Sequence, residues 1–369
     1  MRIVVSGGGT GGHIFPALAV CEGLRRKRPD CELLYVGSVS GMETEIVPKA
    51  GIPFQGVTAR KLRKVVSFST IGVALSLVRG FQEARQYLRA FKTEAVVGAG
   101  GYVAAAAALA GKSLGIPTVI LAPDSIPGRT NRMLARFARK ICVVFDETAA
   151  HFPAERTIVT GLPLRAGIVA PADVDRVMAR ARFSPLARDR FTVLVIGGSQ
   201  GARAINNVVV TALPELLSAG VQVLHQIGPN NLSDVRDAVA ALHLEQGAAY
   251  CPVGFLAEDE VPSAYRAADV IVCRGGISTL SEVTANGLPA IVIPLPTAYA
   301  NHQTANAMAL ARVGAALCRK ESGVDSKGLI AELLQFRDSP ERLRTMASAS
   351  RAISRPEAAD TVADIILNL

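Results

Sequence analysis

The sequence writes one structural sentence twice. Arg2-Ile-Val-Val-Ser leads into a glycine loop, Gly7 to Gly12, and then into an apolar helix over residues 14–24. Much later, Phe191-Thr-Val-Leu-Val-Ile leads into Gly197-Gly-Ser-Gln-Gly201 and a helix over about 202–217. A short β-rich run, a loop that permits close backbone approach and a helix form the opening unit of a doubly wound sheet. Further strands are expected over 31–36, 95–98, 118–121 and 141–145 after the first unit, and over 221–225, 270–273 and 290–294 after the second. Strands alternating with helices imply parallel sheets with right-handed crossovers. The fold class is therefore α/β, with two Rossmann-like domains and ligands expected in a cleft at the strand carboxyl ends. A strand that ends in the breakers Gly161-Leu-Pro places the domain boundary near residue 162. The final helix, about 356–369, could pack on either domain.

Composition agrees with two domains. The chain has 369 residues, 50% hydrophobic and 19% charged, enough for substantial cores and unlike a disordered chain. Trp is absent and small aliphatic residues dominate, as in buried parallel strands. The six cysteines form no CxxC pair and no Cys/His cluster, so neither a metal site nor a disulfide framework is expected, and a reducing compartment fits. The uncharged run from Ala95 to Gly111 is broken by Gly98, Gly100 and Gly101 and reads as strand, turn and buried helix, not as a membrane span. The chain opens directly on a strand, so no signal peptide is expected.

The loops carry the chemistry. GGGTGGH, Gly7 to His13, satisfies G-x-G-x-x-G, but the second strand ends Tyr35-Val36-Gly37-Ser38 without the carboxylate that a dinucleotide site needs for its ribose. Hydride transfer is set aside, and what remains is a loop of amides at a helix start, suited to a phosphate or a sugar hydroxyl. His13 is either a neutral base or a residue that holds the loop by hydrogen bonding. GAGGY, Gly98 to Tyr102, either helps frame a diphosphate or is a tight turn without a ligand. In CRGGISTLSE, Cys273 to Glu282, a strand ends, Gly275 and Gly276 turn the chain, and a helix begins near Ser278. Its first-turn amides, with Ser278 and Thr279, favour a nucleotide diphosphate. Glu282 either accepts hydrogen bonds from a ribose diol or serves as a capping-box acid. Asn301-His302-Gln303 suits sugar hydroxyls or helix capping. Asp173-Val-Asp175 has the form of a cation-binding pair, but acids are expected in the first turn of the helix that follows, so it is not read as a metal site.

The net charge of +9 is local. Between Arg60 and Lys92, eight cations face one acid, Glu83, with apolar residues interleaved; Arg129, Arg132, Arg136, Arg139 and Lys140 form a second cluster without acids. Cation-rimmed apolar surface suits docking on an anionic bilayer. A solvated basic helix face is the alternative, and no nucleic-acid-binding motif accompanies the charges.

In order, GGGTGGH, GAGGY, GGSQGA, CRGGISTLSE and His302-Gln303 with Asn306 resemble the MurG family of bacterial peptidoglycan synthesis. These are the UDP-N-acetylglucosamine:undecaprenyl-diphospho-muramoyl-pentapeptide N-acetylglucosaminyltransferases, and the resemblance covers essentially the whole chain. It implies a GT-B fold. Residues 1–162, with a returning helix over about 354–369, would take the lipid-linked diphospho-sugar acceptor and dock on the membrane. Residues 163–353 would take UDP-N-acetylglucosamine. Transfer would be inverting, to the 4-hydroxyl of the muramoyl sugar, without metal or cofactor, by a peripheral protein on the cytoplasmic face of the membrane.

Carried residue by residue, the resemblance puts Thr10, Gly11 and Gly12 at the donor sugar and acceptor, and Arg165 and Ser199 with Gln200 at the nucleotide-sugar. Phe255 and Leu256 would meet uracil through the backbone. Gly276, Ile277, Ser278, Thr279 and Leu280 would surround the diphosphate, Glu282 the ribose, and His302 and Gln303 the sugar. His13 becomes the base for the acceptor hydroxyl. One departure stands out: where the family reads His-Glu-Gln-Asn after the fourth strand, this chain has Leu121-Ala-Pro-Asp124. Asn131 remains, and Asp124 is carried as a second catalytic candidate and acceptor contact. Two alternatives stay open: a GT-B transferase for another lipid or glycan acceptor, and a non-catalytic nucleotide-sugar-binding module.

Overall fold

The computed structural model describes residues 1–58, 69–169, 174–244 and 249–369. The chain divides into two compact units, one of residues Met1–Ala166 with Arg355–Leu369 and one of Gly167–Ser354.

Unit 1 holds a parallel sheet of seven strands: β1 (Arg2–Ser6), β2 (Glu32–Ser38), β3 (Phe54–Val57), β4 (Ala95–Gly98), β5 (Thr118–Ala122), β6 (Lys140–Val143) and β7 (Thr157–Val159), in the order β3-β2-β1-β4-β5-β6-β7. Unit 2 holds six: β8 (Thr192–Ile196), β9 (Gln222–Gln226), β10 (Tyr250–Val253), β11 (Val270–Cys273), β12 (Ala290–Val292) and β13 (Ala316–Cys318), in the order β10-β9-β8-β11-β12-β13. Central strands such as β4, β5 and β8 are buried on both faces, and continuous aliphatic runs supply that.

Both orders reverse direction at their middle, between β1 and β4 in unit 1 and between β8 and β11 in unit 2. Ligands of doubly wound sheets bind at such a switch point, outside the strand carboxyl ends. All four glycine loops sit there: Gly7–Gly12 after β1, Gly98–Gly101 after β4, Gly197–Gly201 after β8 and Gly275–Gly276 after β11.

The boundary falls at Ala166, later than the Gly161 break predicts. Arg165 lies over the Phe15 ring at 4.2 Å, and the Ala166 amide donates to Glu22 at 2.9 Å, so these residues stay with unit 1. The last helix, Ala358–Leu367, also belongs to unit 1. Its Val362, Ala363 and Ile366 are fully buried in the core that Ile14, Leu18 and Cys21 of the first helix share. Burying a Val or Ile side chain contributes about 1.5–3 kcal/mol. Gly23 permits the approach, since a Cβ there would stand 2.6 Å from the Ala359 carbonyl. Arg26–Asp360 and Lys27–Asp364 flank the seam.

The uncharged run resolves into β4 and the helix Gly101–Ser113. Among the described residues no helix is long and apolar enough to cross a membrane.

Candidate active site

In unit 1 the helix Gly11–Lys27 starts from Thr10, an extended N-cap whose side chain makes no capping bond, and no acid stands in the first turn. The Thr10 carbonyl takes the amides of His13 and Ile14, at 3.0 and 3.2 Å. The amides of Gly11 and Gly12 thus begin a helix whose positive end carries no side-chain anion. His13 projects from this turn against the second glycine loop. A Cβ on Gly100 would lie 2.5 Å from its Nδ1, and one on Gly101 would lie 2.6 Å from the Gly8 carbonyl. Both glycines have positive φ, +107° and +81°, so GAGGY is glycine-rich in order to pack on GGGTGGH.

Nδ1 of His13 is buried and has no partner of ordinary hydrogen-bond geometry, although the Ala99 carbonyl lies close. The Ala99 carbonyl and the contact with Gly100 keep a loop-holding role for His13 open beside that of a base. Burial lowers the His13 pKa, and Asp124, the Ala99 carbonyl and Glu43 pull the other way without reversing it. The imidazole is neutral near neutral pH. Asp124 is half-buried in the loop after β5, and its backbone carbonyl receives the Thr148 hydroxyl at 3.4 Å. Asn131 is buried. Its Nδ2 donates to the Leu121 carbonyl at 3.2 Å, and its Oδ1 has no partner.

In unit 2 the helix Ile277–Ala285 follows Gly276, an extended N-cap with no side-chain capping bond, and again no acid lies in the first turn. The Ser278 hydroxyl is buried there without a partner. Buried polar groups are normally paired, so an unpaired hydroxyl at a helix N-terminus marks a place for a ligand oxygen. With Gly276 as N-cap, the capping-box position is Thr279, and Glu282 lies a turn beyond it. The capping-box reading of Glu282 is excluded. Instead its carboxylate accepts a 2.7 Å hydrogen bond from the buried Tyr265 hydroxyl.

Gly275 lets the helix His302–Arg312 approach, because a Cβ would collide with the Gln303 carbonyl, and the buried Asn306 donates to the Gly275 carbonyl at 3.2 Å. Gln303 Oε1 receives the Leu295 amide at 2.9 Å, which leaves Nε2 for a sugar hydroxyl. Just before it, Ala300 and Asn301 both hold positive φ, +48° and +58°. An alanine there is strained, and strain of this kind collects where a loop must present a ligand contact. His302 is half-buried, with Nδ1 2.7 Å from the Tyr299 carbonyl.

Ser199 and Gln200 are exposed at the tip of the loop after β8. The Leu256 amide is occupied by Gln226 Oε1 at 3.0 Å, so a backbone contact with a base would fall to its carbonyl; Phe255 beside it is exposed.

Models of the two halves of one family match this chain: the glycosyltransferase family 28 N-terminal domain over residues 3–143 and its C-terminal domain over 192–363. A protein of Desulforudis audaxviator is 40% identical over 375 residues, which spans 100% of this chain and 98% of that protein. One from Bacillus subtilis is 35% identical over 369 residues, covering 100% and 99%. Both are named UDP-N-acetylglucosamine--N-acetylmuramyl-(pentapeptide) pyrophosphoryl-undecaprenol N-acetylglucosamine transferase. The crystal structure of MurG from Acinetobacter baumannii superimposes with a TM-score of 0.79 at 30% identity, covering 100% of this chain and 99% of that one.

The chain belongs to the MurG family.

Its two all-parallel Rossmann-like units are accordingly those of a GT-B protein. Within this MurG-family chain, unit 1 gathers Thr10, Gly11, Gly12, His13 and Asp124, with Arg165 stacked on Phe15 of the same helix. Unit 2 gathers Gly276–Leu280, Glu282 and Gln303, with Ser199 and Gln200 at the neighbouring loop. Asp175 caps the helix Arg176–Ala181 by accepting the Met178 amide at 2.7 Å, whereas Asp173 lies outside the described residues.

Of the basic segments, residues 59–68 lie outside the described residues. In the helix Ser69–Ala90, Arg79 is exposed and paired with Glu83, which also accepts from Thr58. Around the helix Arg129–Leu134, Arg129, Arg132, Arg136 and Arg139 are exposed beside the partly exposed Met133.

Sequence reasoning missed two residues of these sites. Tyr265 lies outside every motif, and nothing local marks it. Glu43 is fully buried beneath the first glycine loop, and its signal was a pair of glycines, Gly37 and Gly41, closing on an acid just past a strand.

Proposed function

We infer that this chain transfers N-acetylglucosamine from UDP-N-acetylglucosamine to undecaprenyl-diphospho-muramoyl-pentapeptide, releasing UDP. The observation that carries the reading is the uncapped helix start after Gly276, with the orphaned Ser278 hydroxyl inside it and Glu282 held one turn on. A diphosphate meets free amides and the positive end of a helix dipole there. Glu282 accepts from the ribose diol, and Gln303 Nε2 donates to the sugar.

In unit 1 the acceptor 4-hydroxyl gives its proton to His13, and Nε2 receives it because Nδ1 is the buried nitrogen. The acceptor oxygen bonds to the anomeric carbon from the face opposite the diphosphate, the bond from that carbon to the phosphate oxygen breaks, and the configuration inverts. Negative charge builds on the departing UDP, where the helix Ile277–Ala285 stabilises it. Asp124 favours the imidazolium once it forms, which gives this acid a role although the family's polar cluster has become Leu121-Ala-Pro-Asp124. The exposed arginines at 129–139, with Met133, dock the protein on an anionic bilayer at the cytoplasmic face, where the acceptor's headgroup lies.

Incubating the purified chain with UDP-N-acetylglucosamine and a short-chain lipid-linked muramoyl-pentapeptide tests this. UDP release that depends on the acceptor is expected, and vesicles containing anionic lipid should retain the protein at low salt. Donor binding without any UDP release would reduce the chain to a nucleotide-sugar-binding module. Release only with a different lipid-linked sugar would reassign its acceptor.

A further inference from the structure

Glu43 has a setting unlike any other acid of the described residues. It opens the short helix Glu43–Lys49 and is fully buried. Its carboxylate accepts the Ser38 amide at the end of β2, at 2.9 Å, and the Gly9 amide in the first glycine loop, at 3.3 Å. No lysine, arginine or histidine forms an ion pair with it among the described residues. Such a group is costly to bury, and a fold retains one where its bonds hold something in place.

Three glycines make the space. A Cβ on Gly8 or Gly41 would collide with the carboxylate, and one on Gly37 would stand 2.7 Å from the Glu43 Cγ. Tyr35 acts on the same loop from the same strand, donating its hydroxyl to the Gly7 carbonyl at 2.9 Å. The loop before His13 is therefore fixed from below at two points, by a phenol on a carbonyl and by a carboxylate on an amide. Where a dinucleotide fold would place an acid to meet a ribose, this chain turns one inward, onto its own glycine loop.

We propose that Glu43 is a positioning residue for glycosyl transfer: by holding the Gly9 amide against the end of β2, it fixes the turn from which Thr10, Gly11, Gly12 and His13 meet the substrates. It does not touch substrate. The proposal rests on the transferase reading and on His13 as base. The charge of Glu43 also reaches His13, favouring its protonated form together with Asp124 and the Ala99 carbonyl.

Two substitutions test it in the full-length chain. Glu43→Gln removes the charge and leaves one acceptor in place of two. Glu43→Asp keeps the charge but is too short to bridge both amides. Turnover should fall about tenfold to a hundredfold in Glu43→Gln, the range for a buried amide left unpaired. The KM for UDP-N-acetylglucosamine should change much less than turnover, because the nucleotide contacts of the proposed site lie in unit 2 and only the donor sugar reaches this turn. The acidic limb of its pH–rate profile should move to lower pH, since a negative charge near His13 has gone. Glu43→Asp should lose turnover with its limb unmoved, and should carry the test alone if Glu43→Gln does not fold by circular dichroism.

Turnover within about threefold of the parent in both variants would overturn the proposal, because an unpaired loop amide costs more than that. So would loss of the folded state in both, which would make Glu43 a requirement of folding only. If the unsubstituted chain itself released no UDP, the transferase reading would fail first, and the two failures are thereby distinguished.

Discussion

The glycine loops that open the two units share a backbone plan and differ in what stands beneath them. Under Gly7–Gly12 lie ionisable groups: Glu43 on the Gly9 amide, Tyr35 on the Gly7 carbonyl, and His13 with Asp124 near it. Under Gly197–Gly201 lie neutral amides. Gln226 donates to the Gly198 carbonyl at 3.4 Å, and Asn231 donates to the Gln200 carbonyl at 3.1 Å. Even the one histidine there is held neutral. His225 is fully buried, with Nε2 3.0 Å from Asn206 Oδ1 and Nδ1 3.1 Å from the Tyr250 hydroxyl, and burial takes its pKa down to about 3. On the function proposed above, one folding plan is furnished for moving a proton in unit 1 and for gripping a ligand in unit 2.

The division breaks if substitutions in the two units have the same kinetic signature. His13→Ala should lower kcat by about a hundredfold to ten-thousandfold, the span of general-base catalysis, with donor affinity unchanged. Glu282→Ala should do the reverse, weakening UDP binding by about tenfold to a hundredfold with a much smaller loss of kcat at saturating donor. Donor titration beside single-turnover rates reads both. Equal losses of kcat would mean that the two units share one undivided catalytic role.

Acid should separate the units in another way. The folded-state pKa of His225 lies near 3 and the unfolded value near 6.5, so the unfolded chain binds the extra proton first. Stability that is complete above about pH 6.5 is lost as pH falls, by about 2 kcal/mol at pH 5 from this residue. Burial is the cause, and the bonding fixes which nitrogen carries the single proton. Asn206 donates its own amide to the Ile227 carbonyl at 3.0 Å, which leaves Oδ1 to accept from His225 Nε2–H, so Nδ1 accepts from Tyr250. A second proton would put a charge on a ring cut off from solvent. Chemical denaturation from pH 7 to 5 should show a shallower loss in His225→Gln than in the parent, and parallel slopes would remove His225 as the cause. His13 also has a lowered pKa, so the parent slope holds a second contribution of the same sign, which the difference cancels.

How much of this was legible in the sequence follows strand position. The strands expected from aliphatic runs are all interior, among them β1, β4, β8 and β11, where both faces are buried. Three edge strands, β3, β10 and β13, are not expected, and the fourth, β7, is announced only by the breakers at Gly161 that end it. Sequences such as Phe-Gln-Gly-Val in β3 and Thr-Ile-Val in β7 are short and only partly buried, so no apolar run announces them. The site divides similarly. Gly276, Ser278 and His13 could be read because a loop between strand and helix is local. Tyr265 could not, because it acts on a residue distant in sequence, Glu282, and Glu43, which acts on Gly9, left only the indirect signal of the glycines around it.

Tyr265 gives the smallest and sharpest test of the comparison. Its hydroxyl is buried and donates to Glu282, and burial, with the neighbouring carboxylate, keeps its pKa well above the ordinary phenol value. The group is therefore a permanent donor, and it aims one side chain of the helix Ile277–Ala285 without supplying charge or accepting a proton. Removing it with Tyr265→Phe leaves the ring in place and frees Glu282 to rotate. About 1 kcal/mol of UDP binding should go, roughly a fivefold weaker Kd, with kcat at saturating donor unchanged. The loss should shrink to nothing with 2′,3′-dideoxyuridine diphosphate, which has no diol for Glu282 to meet. If Tyr265→Phe weakened the dideoxy ligand as much as UDP, the tyrosine would be supporting the helix as a whole and not its carboxylate. The picture of unit 2 as a set of neutral donors aimed at one ligand would then lose its most direct member.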